Sequence, residues 1–217
     1  MRPFPSCSTY HRPLTGWHCV ALLLVALGLP GSGLAAAKTL LVFGDSLSAG
    51  YGLRPEAAWP MLLQQRLRER GSDYNVVNRS LSGETSAGGR SRLAPLLSRE
   101  KPALVILALG ANDGLRGLPL AQLRDNLANM IDHARHSGAR VLLVGMRLPP
   151  NYGPYADEFA QVFVELARTR KIPLLPFLLE PVATRPELFQ ADQLHPTAAA
   201  QPLLLEHLWG TLAPLVK

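Results

Sequence analysis

Apolar positions along this chain follow two periods that take turns. Leu40-Leu41-Val42-Phe43 is an unbroken apolar run of the length of a strand buried on both faces. Apolar runs recur at Ala103–Leu109, the most apolar of them, at Val141–Val144 and at Ile172–Phe177, and Tyr74–Asn78 reads as a short strand. Between these runs the apolar residues space out to a helical repeat. Trp59, Leu62, Leu63 and Leu67 share one helix face and the pattern stops at Gly71; a loop rich in Ser and Gly, Ser80 to Gly89, leads to a helical segment ending near Glu100. Leu120, Leu123, Leu127, Met130, Ile131 and Ala134 form an amphipathic helix closed by Gly138, Phe159 to Arg170 a further one, and Ala198 to Leu212 the last, with Pro202 near its start. Strands alternating with helices at this spacing predict a parallel sheet covered on both faces: a three-layer α/β/α sandwich with a five-stranded sheet. No internal repeat or low-complexity segment interrupts it.

The first residues change the picture. Arg2 and Arg12 precede an uncharged stretch from Cys19 to Ala37 that contains Pro30-Gly31-Ser32-Gly33 and ends in Leu34-Ala35-Ala36-Ala37. A basic start, an apolar centre and a small-residue boundary predict a signal peptide over residues 1–37. A membrane anchor is the rival reading, since a spanning helix needs roughly 20 apolar residues. Pro30 and the two glycines disfavour it. Cleavage leaves residues 38–217, enough for one domain with a sizeable core and too few for two. Both cysteines of the chain, Cys7 and Cys19, precede the boundary. The mature chain is therefore expected to have no disulfide and no lipid-bearing Cys, as suits a periplasmic protein without stable membrane insertion.

Of the 22 Lys and Arg residues only Arg2 and Arg12 precede Lys38, which leaves 20 basic against 16 acidic residues in the mature part. The surplus is spread through Arg66, Arg68, Arg70, Arg90, Arg92, Arg99, Arg168 and Arg170, at helical spacing with acids between them. Solvated helix faces explain it, and with no aromatic or zinc motif beside it a nucleic-acid partner is not expected.

In open parallel sheets ligands bind outside the carboxyl ends of the strands, near the point where strand order reverses. Ser46, Gly83, Asn112 and the loop after Val144 all fall at such ends. Ser46 follows the first strand in Gly44-Asp45-Ser46. A hydroxyl is a poor nucleophile without a base beside it. The surroundings are not those of a Gly-x-Ser-x-Gly elbow, because Ser48 stands at the second Gly position. Four histidines lie after the boundary. His133 and His136 fall on the polar side of a helix and His207 within the last one, so they are expected at the surface; with no Cys or third ligand nearby, no metal is expected. His195 lies in Asp192-Gln193-Leu194-His195-Pro196, with a carboxylate three residues upstream. One turn of chain would bring Asp192 to the imidazole Nδ1 and leave Nε2 for Ser46. The same spacing suits a helix cap, and the residue types leave both readings open.

Oxyanion stabilisation needs donors already aimed. Gly83 lacks a Cβ, so its N–H can approach a substrate oxygen; the Asn112 amide and the Ser46 N–H can add two more donors. A plain turn at Gly83 and an Asx-turn at Asn112 are the structural alternatives. Gly83 to Gly88 also has the spacing of a phosphate loop, but Gly89-Arg90 stands where Lys-Ser or Lys-Thr is needed, which excludes it.

Ser46, Gly83, Asn112 and His195, in this order, together with Asp192-x-x-His195-Pro196, resemble the defining residues of the SGNH, or GDSL, hydrolase family. Ala57-Ala58-Trp59-Pro60, Asn112-Asp113-Gly114-Leu115-Arg116-Gly117, Arg147-Leu148-Pro149-Pro150-Asn151-Tyr152-Gly153 and Pro173-Leu174-Leu175-Pro176-Phe177 extend the resemblance to its bacterial periplasmic multifunctional esterases, described as thioesterases, proteases, lysophospholipases and arylesterases. Gln193 departs from the Gly that many relatives carry there. The resemblance implies a flavodoxin-like SGNH fold and a serine esterase without cofactor or metal. It also implies Ser46, Asp192 and His195 as catalytic residues, with Ser46, Gly83 and Asn112 as oxyanion hole, and a small-molecule acyl ester or thioester as substrate. A monomer is expected. Two other classes fit less well: a carbohydrate O-deacetylase with the same residues, and a non-enzymatic acyl-lipid-binding module.

Overall fold

A computed structural model describes residues 37–217. The segment read as a signal peptide lies outside the described residues, apart from Ala37. Five parallel strands form one sheet in the order β2-β1-β3-β4-β5: β1 is Lys38–Gly44, β2 Tyr74–Asn78, β3 Leu104–Ala108, β4 Arg140–Val144 and β5 Leu174–Leu175. This is the flavodoxin-like order, and its reversal lies between β1 and β3. Among the described residues seven α-helices accompany it: α1 Ser46–Ala49, α2 Trp59–Glu69, α3 Ser86–Glu100, α4 Ala111–Leu115, α5 Leu120–His136, α6 Pro154–Arg170 and α7 Gln201–Leu212.

Alternate residues of each central strand feed two separate cores. Leu40, Val42, Leu104, Ile106, Leu142 and Val144 face one side, where Trp59, Leu63 and Leu67 of α2 meet Leu204, Leu205 and Leu208 of α7. Leu41, Phe43, Val105, Leu107, Val141 and Leu143 face the other, against Leu93 and Leu97 of α3, Leu127 and Ile131 of α5, and Phe159 and Phe163 of α6. Burial on both faces is why these runs are apolar throughout rather than alternating.

Four element boundaries differ from the sequence reading. The last turn of the Ser80–Gly89 loop belongs to α3, which starts at Ser86 behind Thr85, whose side chain accepts from the Gly88 N–H at 3.3 Å. Within α3, residue 89 is glycine because the helix passes so close to Leu109 that a Cβ there would run into its Cδ1. Asn112 lies in a short helix, α4, rather than in a loop. α6 starts five residues ahead of Phe159, since its first turn is polar and partly exposed and so carries no apolar periodicity; Pro154 opens it in the position where a missing N–H costs nothing. β5 shrinks from the apolar run Ile172–Phe177 to two residues, because Pro173 and Pro176 have no N–H to give to a ladder. Pro202 is likewise compatible with α7 because it occupies the first turn, following a 3₁₀ turn at Ala198–Ala200.

Candidate active site

β1 delivers its chain end into a tight, capped turn. Asp45, in an extended conformation, accepts the Leu47 N–H through Oδ1 at 3.0 Å and so starts α1 with Ser46 as its first residue. The short helix is held from below: Trp59, fully buried, donates from Nε1 to the Leu47 carbonyl at 3.1 Å, and Asn78 Nδ2 donates to the Ser48 carbonyl at 2.8 Å. Asp45 itself is 2% exposed, and burial first, then the nearby Asp113 and Glu84 charges, push its carboxyl up to about 7, against the pull of the Leu47 N–H.

His195 reaches this turn from a loop 149 residues further on. Its Nε2 lies 2.9 Å from Ser46 Oγ and its Nδ1 2.7 Å from Asp192 Oδ2. The other carboxylate oxygen, Oδ1, accepts the backbone N–H groups of Leu194 at 2.9 Å and His195 at 3.0 Å. The two readings of the Asp192–His195 spacing are thus both present, but the cap closes the residues' own turn rather than α7. Those donors, the His195 N–H foremost, hold the Asp192 carboxyl down at about 2. With the Nδ1 proton donated to this carboxylate, Nε2 is the acceptor for the Ser46 O–H. Gln193, inside the turn, has φ 56°. That left-handed backbone is where glycine sits at no cost and a residue with a Cβ is strained.

Gly83 also has a left-handed backbone, φ 77°, and a Cβ on it would meet nothing within 4 Å. Glycine is therefore required by the turn and not by crowding within the protein. Asn112 Nδ2 donates to the Glu84 carbonyl at 3.0 Å, which joins α4 to the residue after Gly83. Asp113 is fully engaged beside it: its Oδ2 accepts the Ser86 N–H at 2.8 Å and its Oδ1 the Ser86 hydroxyl at 2.5 Å, and Asn126 donates to the same hydroxyl at 3.0 Å. This buried cluster locks α4 to the start of α3 and so fixes Asn112 relative to Gly83. Of the other histidines, His133 and His136 are exposed, whereas His207 is half-buried and its Nε2 donates to the Phe177 carbonyl at 3.0 Å. Among the described residues no group of three His, Cys, Asp or Glu could hold a metal ion, and no helix is long and apolar enough to cross a membrane.

A cavity of about 460 Å³ opens at the Ser46–His195 contact. Ser46, Asn112 and His195 line its mouth, and Leu115, Met146, Leu148, Phe177, Leu179 and Phe189 its walls. Gly83 and Asp192 do not line it.

Comparison with known proteins defines the class. Residues 42–202 match the GDSL-like Lipase/Acylhydrolase family, and the chain belongs to it: it is an ester-hydrolysing enzyme on an SGNH fold. It is 53% identical over 199 residues to Esterase TesA of Pseudomonas aeruginosa, covering 91% of this chain and 96% of that protein. It is 42% identical over 201 residues to Thioesterase 1/protease 1/lysophospholipase L1 of Escherichia coli, covering 92% and 94%. Among solved structures, the psychrotrophic esterase EstA from Pseudoalteromonas, inhibited by monoethylphosphonate, superimposes with a TM-score of 0.79 at 37% identity, covering 82% of this chain and 98% of EstA.

Proposed function

We propose that this enzyme hydrolyses long-chain carboxylic esters and acyl thioesters, including aryl esters, acyl-CoA and lysophospholipids, through an acyl-enzyme on Ser46. The observation that carries this reading is the apolar cavity of about 460 Å³ that starts at the Ser46 hydroxyl: an acetyl group would leave it empty, while an acyl chain buries its methylenes there at about 0.8 kcal/mol each. His195 Nε2 takes the Ser46 proton as Oγ attacks the carbonyl, and the imidazolium formed is stabilised by Asp192. The Ser46 and Gly83 N–H groups and the second N–H of the Asn112 amide, whose first goes to Glu84, receive the oxyanion. His195 then returns the proton to the leaving alcohol or thiol. Water, deprotonated by the same nitrogen, releases the acid and restores Ser46.

The resemblances to TesA and to the Escherichia coli thioesterase/lysophospholipase support the same substrate classes. In this reading residues 38–217 are the hydrolase domain, residues 1–37 a signal peptide, and the mature protein a periplasmic monomer that needs no cofactor. The test is a chain-length series, oxyester beside thioester and an acetylated sugar, on purified mature protein. Rates that rise from acetyl to longer acyl groups fit the cavity; a preference for the acetylated sugar makes the protein an O-deacetylase instead.

A further inference from the structure

Ser46 and His195 belong to segments 149 residues apart, and their side chains touch at the single contact of 2.9 Å. A second connection joins their backbones. The Tyr51 N–H donates to the Ser46 carbonyl at 3.2 Å, which closes α1. The Tyr51 carbonyl accepts from Gln190 Nε2 at 2.8 Å, and the same nitrogen donates to the Pro196 carbonyl at 3.1 Å. The Gln190 N–H in turn donates to the His195 carbonyl at 2.8 Å, and its carbonyl accepts the Gln193 N–H at 2.9 Å. One residue thus bonds to the chain on both sides of the imidazole and, through Tyr51, to the nucleophile's own peptide. The Tyr51 ring, held by this arrangement, lies against the His195 ring with centroids 4.4 Å apart. Space for the amide is built in, since a Cβ on Gly52 would run into Gln190 Oε1.

We propose that Gln190 is a positioning residue for the reaction: its side-chain amide straps the Tyr51 turn to the His195 loop and thereby fixes the Ser46–His195 separation. The physical need is plain from exposure. Tyr51, Gly52, Asp192, Gln193 and Leu194 are all exposed, and loops of that kind are mobile unless tied. A proton transfer between two such segments depends on their relative placement, where a displacement of about 1 Å can cost roughly 10²-fold in rate. Gln190 does not line the acyl cavity, so it acts on rate and not on substrate affinity.

The inference rests on the acyl-enzyme reading, and the test separates the two. Gln190→Met keeps the length of the side chain and removes both N–H donors. It is compared with the wild type for kcat and KM on a short ester and for the rate of phosphonylation by an organophosphonate, followed by intact mass. The expected result is a loss on the order of 10- to 100-fold in both kcat and phosphonylation rate, with KM within about twofold and full final labelling. Gln190→Asn, which keeps the amide on a shorter stem, is expected to lose less, and it serves as the test if the Met variant does not fold. Wild-type rates in both variants, or a loss that appears only in KM, overturn the proposal. Failure of Ser46 to label in the wild type would instead sink the acyl-enzyme reading itself.

Discussion

Asp45 sits directly before the nucleophile, 2% exposed, with its carboxyl raised from 3.8 to about 7 chiefly by burial. Between about pH 4 and pH 7 the folded protein therefore holds a proton on Asp45 that the unfolded chain has released. The stability tied to this proton is complete below the unfolded value and is lost as pH rises through the folded one. About three units at 1.36 kcal/mol each set a ceiling of about 4 kcal/mol on that loss, of which the roughly two units above pH 5 carry at most about 3 kcal/mol. Asp45→Asn removes the titration while leaving an Oδ1 to accept the Leu47 N–H. Its amide can also serve the void of about 10 Å³ that Asp45 shares with Ser48, whose buried hydroxyl has no partner among the described residues. Urea unfolding of wild type and variant at pH 5 and pH 8.5 gives the double difference directly. The variant's stability relative to the wild type is expected to rise by about 1 to 3 kcal/mol between these pH values. An equal difference at both would show that Asp45 is ionised in the folded state throughout, and the burial argument would fail.

Four further outcomes are expected. Asn112→Ala lowers kcat by roughly 10² to 10³ with KM nearly unchanged, because its donor is used when the oxygen carries charge; a change in KM alone would make Asn112 a binding residue. Asp192→Asn lowers kcat by up to ~10⁴, as an amide selects the wrong imidazole tautomer, and a wild-type rate would reduce Asp192 to a turn cap. Gly89→Ala costs about 1 to 3 kcal/mol in urea unfolding, since α3 must move away from Leu109 and Phe43; an unchanged midpoint refutes that packing. Gln193→Gly gains about 0.5 to 1 kcal/mol by relieving the left-handed backbone at φ 56°, offset in part by the lost bond from Gln193 Nε2 to the Gln190 carbonyl at 3.2 Å; a clear loss would mean the side-chain bond outweighs the strain.

The sheet was legible because its central strands are buried on both faces, and a run such as Leu104–Ala108 then has no polar residue to blur it. Once the strands are known, their carboxyl ends are known, and Ser46, Gly83 and Asn112 fall there without reference to any relative. Edges and caps were less legible. The two-residue β5 depends on which N–H groups its prolines lack. The start of α3 depends on the Thr85 cap and on the bonds of Ser86 to Asp113, 27 residues away, which override the loop character of a Ser and Gly-rich sequence.

The parts of the site that escaped the sequence share one property: each acts through a contact whose partner is remote in the chain. Asp113 stands next to Asn112 and reads as a spare carboxylate, a candidate to orient His195 should Asp192 prove only a cap. Its two oxygens are spent on Ser86, 27 residues away, and it cannot serve the imidazole without releasing the start of α3. Gln190 is one amide in a polar stretch, and its bond to Tyr51 spans 139 residues. Residue type and local spacing mark groups that react, because the chemistry restricts them to serine, histidine and carboxylate. Groups that hold those in place need only a donor or an acceptor at the right point, which many residues can supply. Their identity is settled by the geometry of the fold, here by two loops that meet above the β1–β3 reversal and need to be tied across it.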